Sequence, residues 1–237
     1  MGCNGHGCVE RWRLATAIPK LTEQLKNAEA QKPESLQRTH WDLSLSYSKV
    51  LVTGGAGFIG SHLVERLVEE GLDVTVLDNL STGKIENLGC LNNGTIRFIK
   101  GDIRDRDTVE EALKGVKAAL HLAAVSSVPY SVENPQATSD VNINGTRNLL
   151  EASIRNCVER FIYVSTCAVY GEPEYLPIDE MHPTRPVSPY AATKLEAEQV
   201  CTAFRGAYGL GTVIFRLFNV YGLRMRNDSY AGVIPRF

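Results

Sequence analysis

Residues 49–71 read KVLVTGGAGFIGSHLVERLVEEG and predict a strand, a tight turn and a helix in direct succession. The apolar β-branched run predicts a buried strand, and apolar residues at helical spacing up to a terminal glycine predict a helix with its C-cap. Between them lies the pattern Gly55-x-Gly57-x-x-Gly60. Such glycines let the backbone approach a pyrophosphate, at which a helix beginning near Phe58 points its free N–H groups. The strand and helix on either side predict a dinucleotide-binding site.

Strand and helix patterns continue to alternate along the rest of the chain. Strands alternating with helices favour a parallel sheet covered on both faces. The predicted fold class is therefore α/β, a Rossmann-like doubly wound parallel sheet with helices on both faces, built by residues 49–237. The predicted strands after the first cover 73–79, 95–102, 118–125, 160–166 and 211–222, and two of the helices cover 146–156 and 191–204.

Residues 1–48 form a polar N-terminal extension that is predicted to be partly ordered or disordered. The extension holds both tryptophans, Trp12 and Trp41. A wholly disordered tail seldom keeps tryptophan, so part of the extension is expected to dock on the core, and a poorly ordered leader is the alternative interpretation. Cys3, His6 and Cys8 are a weak metal-like cluster, because a structural zinc site takes four ligands, and no metal is predicted.

The composition is that of a soluble globular protein, with 237 residues, 43% hydrophobic residues and a net charge of −2. A charge near zero gives no reason to expect nucleic acid or an anionic membrane as a partner. No apolar run approaches the ~18 residues of a membrane span, and no signal-peptide core is present. The six cysteines are scattered and are expected to be free thiols, so the predicted location is cytoplasmic.

The ends of the next strands carry further candidates for the same site. Asp78 ends the second predicted strand about twenty residues after the glycines, where a carboxylate can bind ribose hydroxyls and would repel a 2′-phosphate. NAD is therefore favoured over NADP, although Lys84 leaves NADP open, and a turn-forming aspartate is the alternative for Asp78. Asp102 closes the third strand. Ala123 and Ala124 after the fourth would allow close approach of a cofactor, or they are ordinary packing residues.

The segment SPYAATK, residues 188–194, places Tyr190 and Lys194 four residues apart on one face of a predicted helix. With the motifs around it, the chain resembles the extended short-chain dehydrogenase/reductase family from about residue 49 to 237. Within that family it looks most like the nucleotide-sugar 4-epimerases that act on UDP-glucose or UDP-N-acetylglucosamine. The motifs, in order, are TGGAGFIG, Asp78, GDIRD, HLAA, VNINGT, VSTCAVYG, SPYAATK and RLFNVYG.

The resemblance implies a catalytic group of Tyr190, Lys194 and Thr166, with Ser165 beside it. Tyr190 would be the base, and Lys194 would hold the nicotinamide ribose and lower the pKa of the tyrosine from its ordinary value near 10. Thr166 would hydrogen-bond the sugar O4. The residues implied to bind the cofactor are Gly54, Gly57, Phe58, Ile59, Gly60, Asp78, Asn79, Ser81, Thr82, Gly83, Asp102, Ile103, Leu122, Ala123, Ala124, Asn142, Tyr190, Lys194 and Phe218; those implied to bind the substrate are Ser126, Thr166, Tyr190 and Asn219.

Cys167 and Ala168 bear on the reaction. Related dehydratases carry acidic residues directly after this threonine, and this chain does not, which favours hydride transfer at C4 alone. The resemblance therefore implies NAD-dependent epimerisation of a UDP-sugar through a transient 4-keto sugar. The alternatives are an NAD-dependent reductase or dehydrogenase of another small carbonyl compound, or a non-catalytic NAD-binding protein.

The resemblance also implies that a substrate-binding lobe begins near residues 223–237 and is truncated here. We expect the 237-residue chain to bind NAD weakly or moderately, to show little or no epimerase activity, and to expose an apolar surface around FNVYG and GVIPRF. The sequence does not decide which UDP-sugar is used. A homodimer is a further possibility, because members of this family often dimerise through a helix pair.

Overall fold

The computed structural model describes residues 48–94 and 96–225. The N-terminal extension, its tryptophans and its Cys3, His6 and Cys8 cluster lie outside the described residues, as does the stretch YAGVIPRF. None of the helices in the described part of the chain is long and apolar enough to cross a membrane. Within residues 48–94 and 96–225, no group of three or more His, Cys, Asp or Glu side chains could hold a metal ion.

Six parallel strands form one sheet in the order β3-β2-β1-β4-β5-β6. This order confirms the doubly wound prediction, because the chain builds outward from β1 in one direction and then returns to build from β4 in the other. The strands are β1 Lys49–Thr53, β2 Asp73–Asp78, β3 Ile96–Lys100, β4 Ala118–His121, β5 Arg160–Thr166 and β6 Gly211–Leu217.

Helices connect the strands and cover both faces of the sheet. On one face, α1 packs against β2 and the 3₁₀ segment that follows it; on the other, α2, α5 and α6 pack side by side. The helices are α1 Phe58–Glu69, α2 Arg106–Leu113, α3 Val128–Glu133, α4 Pro135–Ser139, α5 Thr146–Arg155 and α6 Pro189–Tyr208, with 3₁₀ segments at Ile85–Asn93 and Cys167–Tyr170 and a π-helical turn at Asp140–Gly145.

The main core lies between the sheet and the group formed by α2, α5 and α6. Strands covered on both faces carry nearly continuous apolar runs, and in β1 the side chains of Val50, Leu51 and Val52 are all buried. The core cluster also includes Leu77 from β2 and Phe161 from β5. This packing holds the carboxyl ends of the six strands at one edge, where doubly wound sheets bind ligands.

Several boundaries differ from the sequence-based prediction. β4 ends at His121 and β3 at Lys100, so the predicted strands 118–125 and 95–102 were too long, because the loops that leave the carboxyl edge begin there. β6 ends at Leu217, so the predicted strand 211–222 was too long, and FNVYG is irregular. α6 is longer than predicted, because the hydroxyl of Ser188 caps its N-terminus and Gly209, at φ +71°, ends it. The short helices and the π-helical turn within residues 128–145 were not predicted, since segments this short carry no clear periodicity.

The segment after β6 exposes apolar side chains, as expected from the sequence. Phe218 is 55% exposed, Tyr221 68% and Leu223 82%. The part of this expectation that concerned GVIPRF lies outside the described residues.

Candidate active site

The glycine turn after β1 is packed so tightly that side chains cannot fit. Gly54 has φ +71°, and a Cβ there would lie 2.7 Å from the backbone nitrogen of Ala123. A Cβ on Gly60 would overlap the carbonyl oxygen of Gly54. Gly57 has no side chain to cap α1, so the first N–H groups of the helix have no side-chain acceptor. This cradle fits a dinucleotide pyrophosphate, which takes such N–H groups as donors.

Asp78 lies buried beside the cradle at the end of β2. Its Oδ2 accepts from the backbone nitrogen of Ala56 at 3.0 Å, and its Oδ1 accepts from that of Leu80 at 2.8 Å. Each carboxylate oxygen keeps a further lone pair, so the group can still accept from a ribose hydroxyl. The structure places Asp78 beside the cradle and shows a second task that the sequence analysis did not assign, which is to fix the turn.

The loop after β2 folds back over the cradle. The backbone nitrogen of Lys84 and the side-chain amide of Asn87 both donate to the carbonyl oxygen of Ala56, at 3.0 and 2.8 Å. A Cβ on Gly83 would lie 2.8 Å from the carbonyl carbon of Ala56. The loop therefore holds the candidate residues Asn79, Ser81, Thr82 and Gly83 next to the glycines, with Asn79, Ser81 and Thr82 exposed.

Asp102 is held by neighbours at the end of β3. Arg104 forms a forked ion pair with it, at 2.9 Å from Nε to Oδ1 and 2.8 Å from Nη2 to Oδ2. Asn79 donates to it at 3.1 Å. The hydrogen bond from Arg104 is the main cause that lowers the pKa of Asp102 to about 2. Ile103, by contrast, is buried in the core against Gly145, and the structure does not bring its side chain to the candidate site.

The small residues that follow β4 pack against the glycine cradle. The backbone nitrogen of Ala123 donates to Thr53 Oγ1 at 3.3 Å, and Gly54 packs directly against Ala123. Of the two interpretations of Ala123, close approach of a cofactor or ordinary packing, these contacts support packing, here against the glycine turn. Leu122, Ala123 and Ala124 are all half-buried at the carboxyl edge, while Ser126 is exposed.

A buried histidine that the sequence analysis did not assign links this region together. His121 accepts at Nδ1 from Thr53 over 2.7 Å and donates from Nε2 to Thr146 Oγ1 over 2.9 Å. The direction follows because the Thr146 hydroxyl itself donates to the carbonyl of Asn142 at 2.6 Å. Burial, and secondarily the charge of Lys194, lowers the pKa of His121 to about 3, so the ring is neutral.

Asn142 has a different surrounding from the one expected. Its Oδ1 accepts from the nitrogen of Val125 at 2.8 Å, and its Nδ2 donates to the carbonyl of Val125 and to Thr193 Oγ1, both at 3.0 Å. The side chain is buried and joins the loop after β4 to α6. The structure therefore places its amide between two elements of the protein, not in the cofactor crevice.

Tyr190 and Thr166 are brought together where β5 ends and α6 begins. Ser131 Oγ accepts from the backbone nitrogen of Tyr190 at 3.1 Å and fixes the start of the helix. The pKa of Tyr190 is raised above 10, contrary to the expected lowering, because burial disfavours the phenolate. Interaction with the side chain of Thr166 opposes this rise, and the nearby Cys167 adds to it.

Lys194 is buried one turn after Tyr190. Its Nζ donates to the carbonyl of Val164 at 2.7 Å and lies 4.2 Å from the centre of the Tyr163 ring. Burial lowers the pKa of Lys194 to about 7, while neighbouring Cys201 and Glu198 raise it. Lys194 is not among the groups that shift the pKa of Tyr190, so the expected lowering by the lysine is absent.

Ser165 points away from the pair. Its Oγ donates to Glu198 Oε1 at 2.5 Å, and Glu198 also accepts a forked ion pair from Arg216, with 2.7 Å between Arg216 Nη2 and Oε2. Successive strand residues face opposite sides, so Ser165 and Thr166 cannot both face Tyr190. The structure thus separates Ser165 from the predicted catalytic group. Glu198 was missed, and its signal was the four-residue step from Lys194 along one helix face.

Phe218 and Asn219 follow β6 and are exposed. The Phe218 ring lies 6.3 Å from that of Tyr170, which in turn lies 4.9 Å from the guanidinium carbon of Arg216. The crevice edge therefore brings together the cradle, Asp78, the loop 79–83, Tyr190 and Thr166. It does not include the side chains of Ile103, Asn142 or Ser165.

Strand order, glycine cradle and carboxylate at the end of β2 define a Rossmann-type α/β protein of the dinucleotide-binding class. A model of the NAD dependent epimerase/dehydratase family matches residues 50–237, and the chain belongs to that family. A UDP-glucose 4-epimerase of Streptomyces lividans is 43% identical over 194 residues, which is 79% of this chain and 58% of the relative.

Two solved structures share the fold. A UDP-N-acetylglucosamine 4-epimerase from Methanobrevibacter ruminantium, in complex with UDP-N-acetylmuramic acid, has a TM-score of 0.76 and 43% identity, covering 79% of this chain and 60% of that one. A UDP-glucose 4-epimerase from Thermus thermophilus, in complex with NAD, has a TM-score of 0.71 and 46% identity, covering 77% and 58%. The chain thus spans about three fifths of the length of the relatives it matches.

Proposed function

We propose that this protein is an NAD-dependent isomerase that inverts C4 of a UDP-sugar. The observation that carries the proposal is the position of Thr166 at the end of β5 and of Tyr190 in the first turn of α6, at the carboxyl edge that also holds the glycine cradle. A hydroxyl pair at this place suits an alcohol or carbonyl group of a substrate beside a bound dinucleotide. The names of the relatives, which are epimerases of UDP-glucose and UDP-N-acetylglucosamine, support the choice of substrate class.

In this proposal the residues around the cradle hold NAD, which when bound would take up the C4 hydride and return it. The N–H groups at the start of α1 bind the pyrophosphate, Asp78 binds the adenosine ribose, and Asp102 and the loop 79–83 border the adenine side. Asp78 also disfavours a 2′-phosphate, because the two anions repel each other. Lys194 contacts the nicotinamide ribose. The backbone of Leu122, Ala123 and Ala124 lines the bottom of the cofactor crevice.

The protein's own chemistry in this reaction is proton transfer at O4. Tyr190 removes the O4 proton and later returns it, while Thr166 holds O4 by a hydrogen bond. Because burial raises the pKa of Tyr190, its phenol is protonated at neutral pH and needs a nearby positive charge to act as a base. The protonated form of Lys194, one turn away, is such a charge.

The residues after Thr166 support epimerisation over dehydration. Cys167 and Ala168 form the start of a 3₁₀ segment and supply no carboxyl group for proton transfer at a second carbon. Asn219 and Ser126 are exposed at the same edge and are proposed to contact the sugar nucleotide, while Phe218, which is also exposed, is proposed to contact the cofactor. We further propose that residues 49–237 form the NAD-binding domain, with the start of a substrate-binding lobe near residues 223–237.

A homodimer and a cytoplasmic location complete the proposal. Light scattering would decide the first. Free thiols at Cys157, Cys167 and Cys201, in the part of the chain that the structure describes, are consistent with a reducing compartment.

The test measures NAD binding by calorimetry and then follows UDP-galactose, UDP-glucose and their N-acetyl forms by chromatography. Interconversion of C4 epimers without net consumption of NAD is the expected result. Stoichiometric formation of NADH would favour the dehydrogenase alternative. Binding of NAD with no conversion of any sugar would favour a non-catalytic role, and no binding of NAD would overturn the proposal.

A further inference from the structure

The segment that follows β6 is fastened to α1, the helix that begins at the glycine cradle. Arg224 Nη2 donates to Glu65 Oε2 at 2.9 Å, and its Nη1 donates to Ser61 Oγ at 3.4 Å. One residue earlier, the carbonyl oxygen of Leu223 accepts from His62 Nε2 at 2.9 Å. The three contacts lie on the first two turns of α1.

The path of this segment follows from the sheet order. β6 is an edge strand, and β5 and β4 separate it from β1. Three strand spacings of about 4.8 Å lie between β6 and β1, and the few residues from Leu217 to Gly222 are long enough to cross them. Gly222 then lies against the ring of Phe58, the first residue of α1. Residues 218–224 thus cross the carboxyl edge and end at the cradle.

The backbone of Arg224 is held in an unfavourable conformation. Its φ is +65°, in the left-handed region that residues other than glycine rarely adopt. Such a conformation persists when surrounding contacts hold it. Here the contacts are the ion pair with Glu65 and the bond to Ser61, so the turn and the attachment to α1 depend on each other.

We propose that Arg224 and His62 are positioning residues that fasten residues 218–224 as a strap along the cofactor crevice and slow the release of the bound dinucleotide. This inference rests on the proposed function, because it assumes that NAD occupies the crevice. The strap joins the end of β6, beside Phe218, to the helix whose N-terminus is proposed to bind the pyrophosphate. A dinucleotide lying between these two ends cannot leave over this edge until the strap lifts.

The expected size of the effect follows from the exposure of the attachment. The side chains of Arg224 and Glu65 are 27% and 42% exposed, so the pair is partly screened by water. Loss of the ion pair and of its neighbouring hydrogen bonds should speed dissociation by roughly threefold to tenfold. The association rate should change less, because the cradle itself is untouched.

The experiment uses the full chain loaded with NADH, whose fluorescence reports release when excess NAD is mixed in by stopped flow. The variants are Arg224→Ala, Glu65→Gln and His62→Ala, with the charge exchange Glu65→Arg/Arg224→Glu as the rescue. The matched control is Arg66→Ala on the same helix, because Arg66 pairs with Glu69 and Glu70 and does not bind the strap. Circular dichroism checks folding, and Glu65→Gln carries the test if Arg224→Ala does not fold.

We expect NADH to dissociate faster from the three single variants than from the wild type. The charge exchange should restore slow dissociation, and the control Arg66→Ala should leave the rate unchanged. Release within twofold of the wild type in Arg224→Ala and Glu65→Gln would overturn the strap, as would equally fast release in Arg66→Ala. Absence of NADH binding to the wild type would overturn the proposed function together with the strap. Binding with unchanged release overturns the strap alone.

Discussion

Lys194 donates from Nζ to the carbonyl oxygen of Val164 over 2.7 Å, so the lysine is anchored to the strand that ends in Thr166. This bond fixes a buried ammonium whose pKa falls to about 7 from an ordinary value of 10.5, with burial as the main cause. The charge state of Lys194 therefore changes near neutral pH, and the stability of the fold should depend on it.

Substitution of Lys194 by methionine should remove one component of the pH dependence of stability. Between about pH 7 and 10 the unfolded chain binds more protons at Lys194 than the folded chain, so this side chain makes the free energy of unfolding rise with pH. The rise is at most about 1.4 kcal/mol per pH unit. Urea unfolding of both proteins at pH 6, 7.5 and 9 measures the difference, and parallel pH profiles would refute the low pKa.

Tyr190→Phe should leave NAD binding nearly intact, because only the proton acceptor is lost. Turnover should fall by about 10²- to 10⁴-fold. The measurement combines calorimetry with NAD and chromatography of the UDP-sugars. A variant that epimerises at the wild-type rate would remove Tyr190 from its proposed role.

Thr166→Ala and Ser165→Ala should differ, although the residues are adjacent. Loss of the Thr166 hydroxyl should lower turnover, because that hydroxyl is proposed to hold the sugar O4 beside Tyr190. Loss of the Ser165 hydroxyl removes a bond to the buried Glu198 and should cost stability by about 1–3 kcal/mol, with NAD binding kept. Turnover and denaturant midpoints of both variants separate the two effects, and equal losses of turnover would contradict the separation.

Gly60→Ala should abolish NAD binding or unfold the cradle, since its Cβ would overlap the carbonyl oxygen of Gly54. Gly206→Ala is the matched control, because Gly206 lies within α6 and a Cβ there meets no atom within 4 Å. The control should gain roughly 0.5–1 kcal/mol from its better helix propensity. Calorimetry and thermal unfolding of the two variants are the measurements, and normal NAD binding by Gly60→Ala would show that the helix can shift.

Asp78→Ala should narrow the preference for NAD over NADP, by roughly tenfold, because it removes the anion that faces a 2′-phosphate. The variant should also lose stability, since Asp78 accepts from the backbone of Ala56 and Leu80. Titrations of wild type and variant with both dinucleotides provide the ratio. Equal affinities in the wild type would exclude this role for Asp78.

The fold was predictable because its signals are local. A strand, a glycine turn and a helix follow one another in residues 49–71, and the later alternation left few other topologies for the chain. The ends of elements were less predictable where side chains decide them: the hydroxyl of Ser188 extended α6, and β6 stopped at Leu217 although apolar residues continue.

The position of a site residue was predictable where its spacing in the sequence puts it on a known element. Its surroundings were not predictable where hydrogen-bond partners distant in sequence determine them. Tyr190 follows from helical spacing and resemblance, but the direction of its pKa depends on burial, which a motif does not contain. Ser165 and Asn142 were misplaced because their hydrogen-bond partners, Glu198 and Thr193, lie 33 and 51 residues away in sequence.

The bonds from Thr53 through His121 to Thr146 have a consequence for acid conditions inside a cell. With a pKa of about 3, His121 keeps one charge state throughout the range that cells experience, so the link between the glycine turn and α5 is indifferent to acidification. Lys194, by contrast, gains a proton as the pH falls through about 7. A fall in pH would therefore change the charge of Lys194, while the hydrogen bonds that join the glycine turn to α5 stay unaltered.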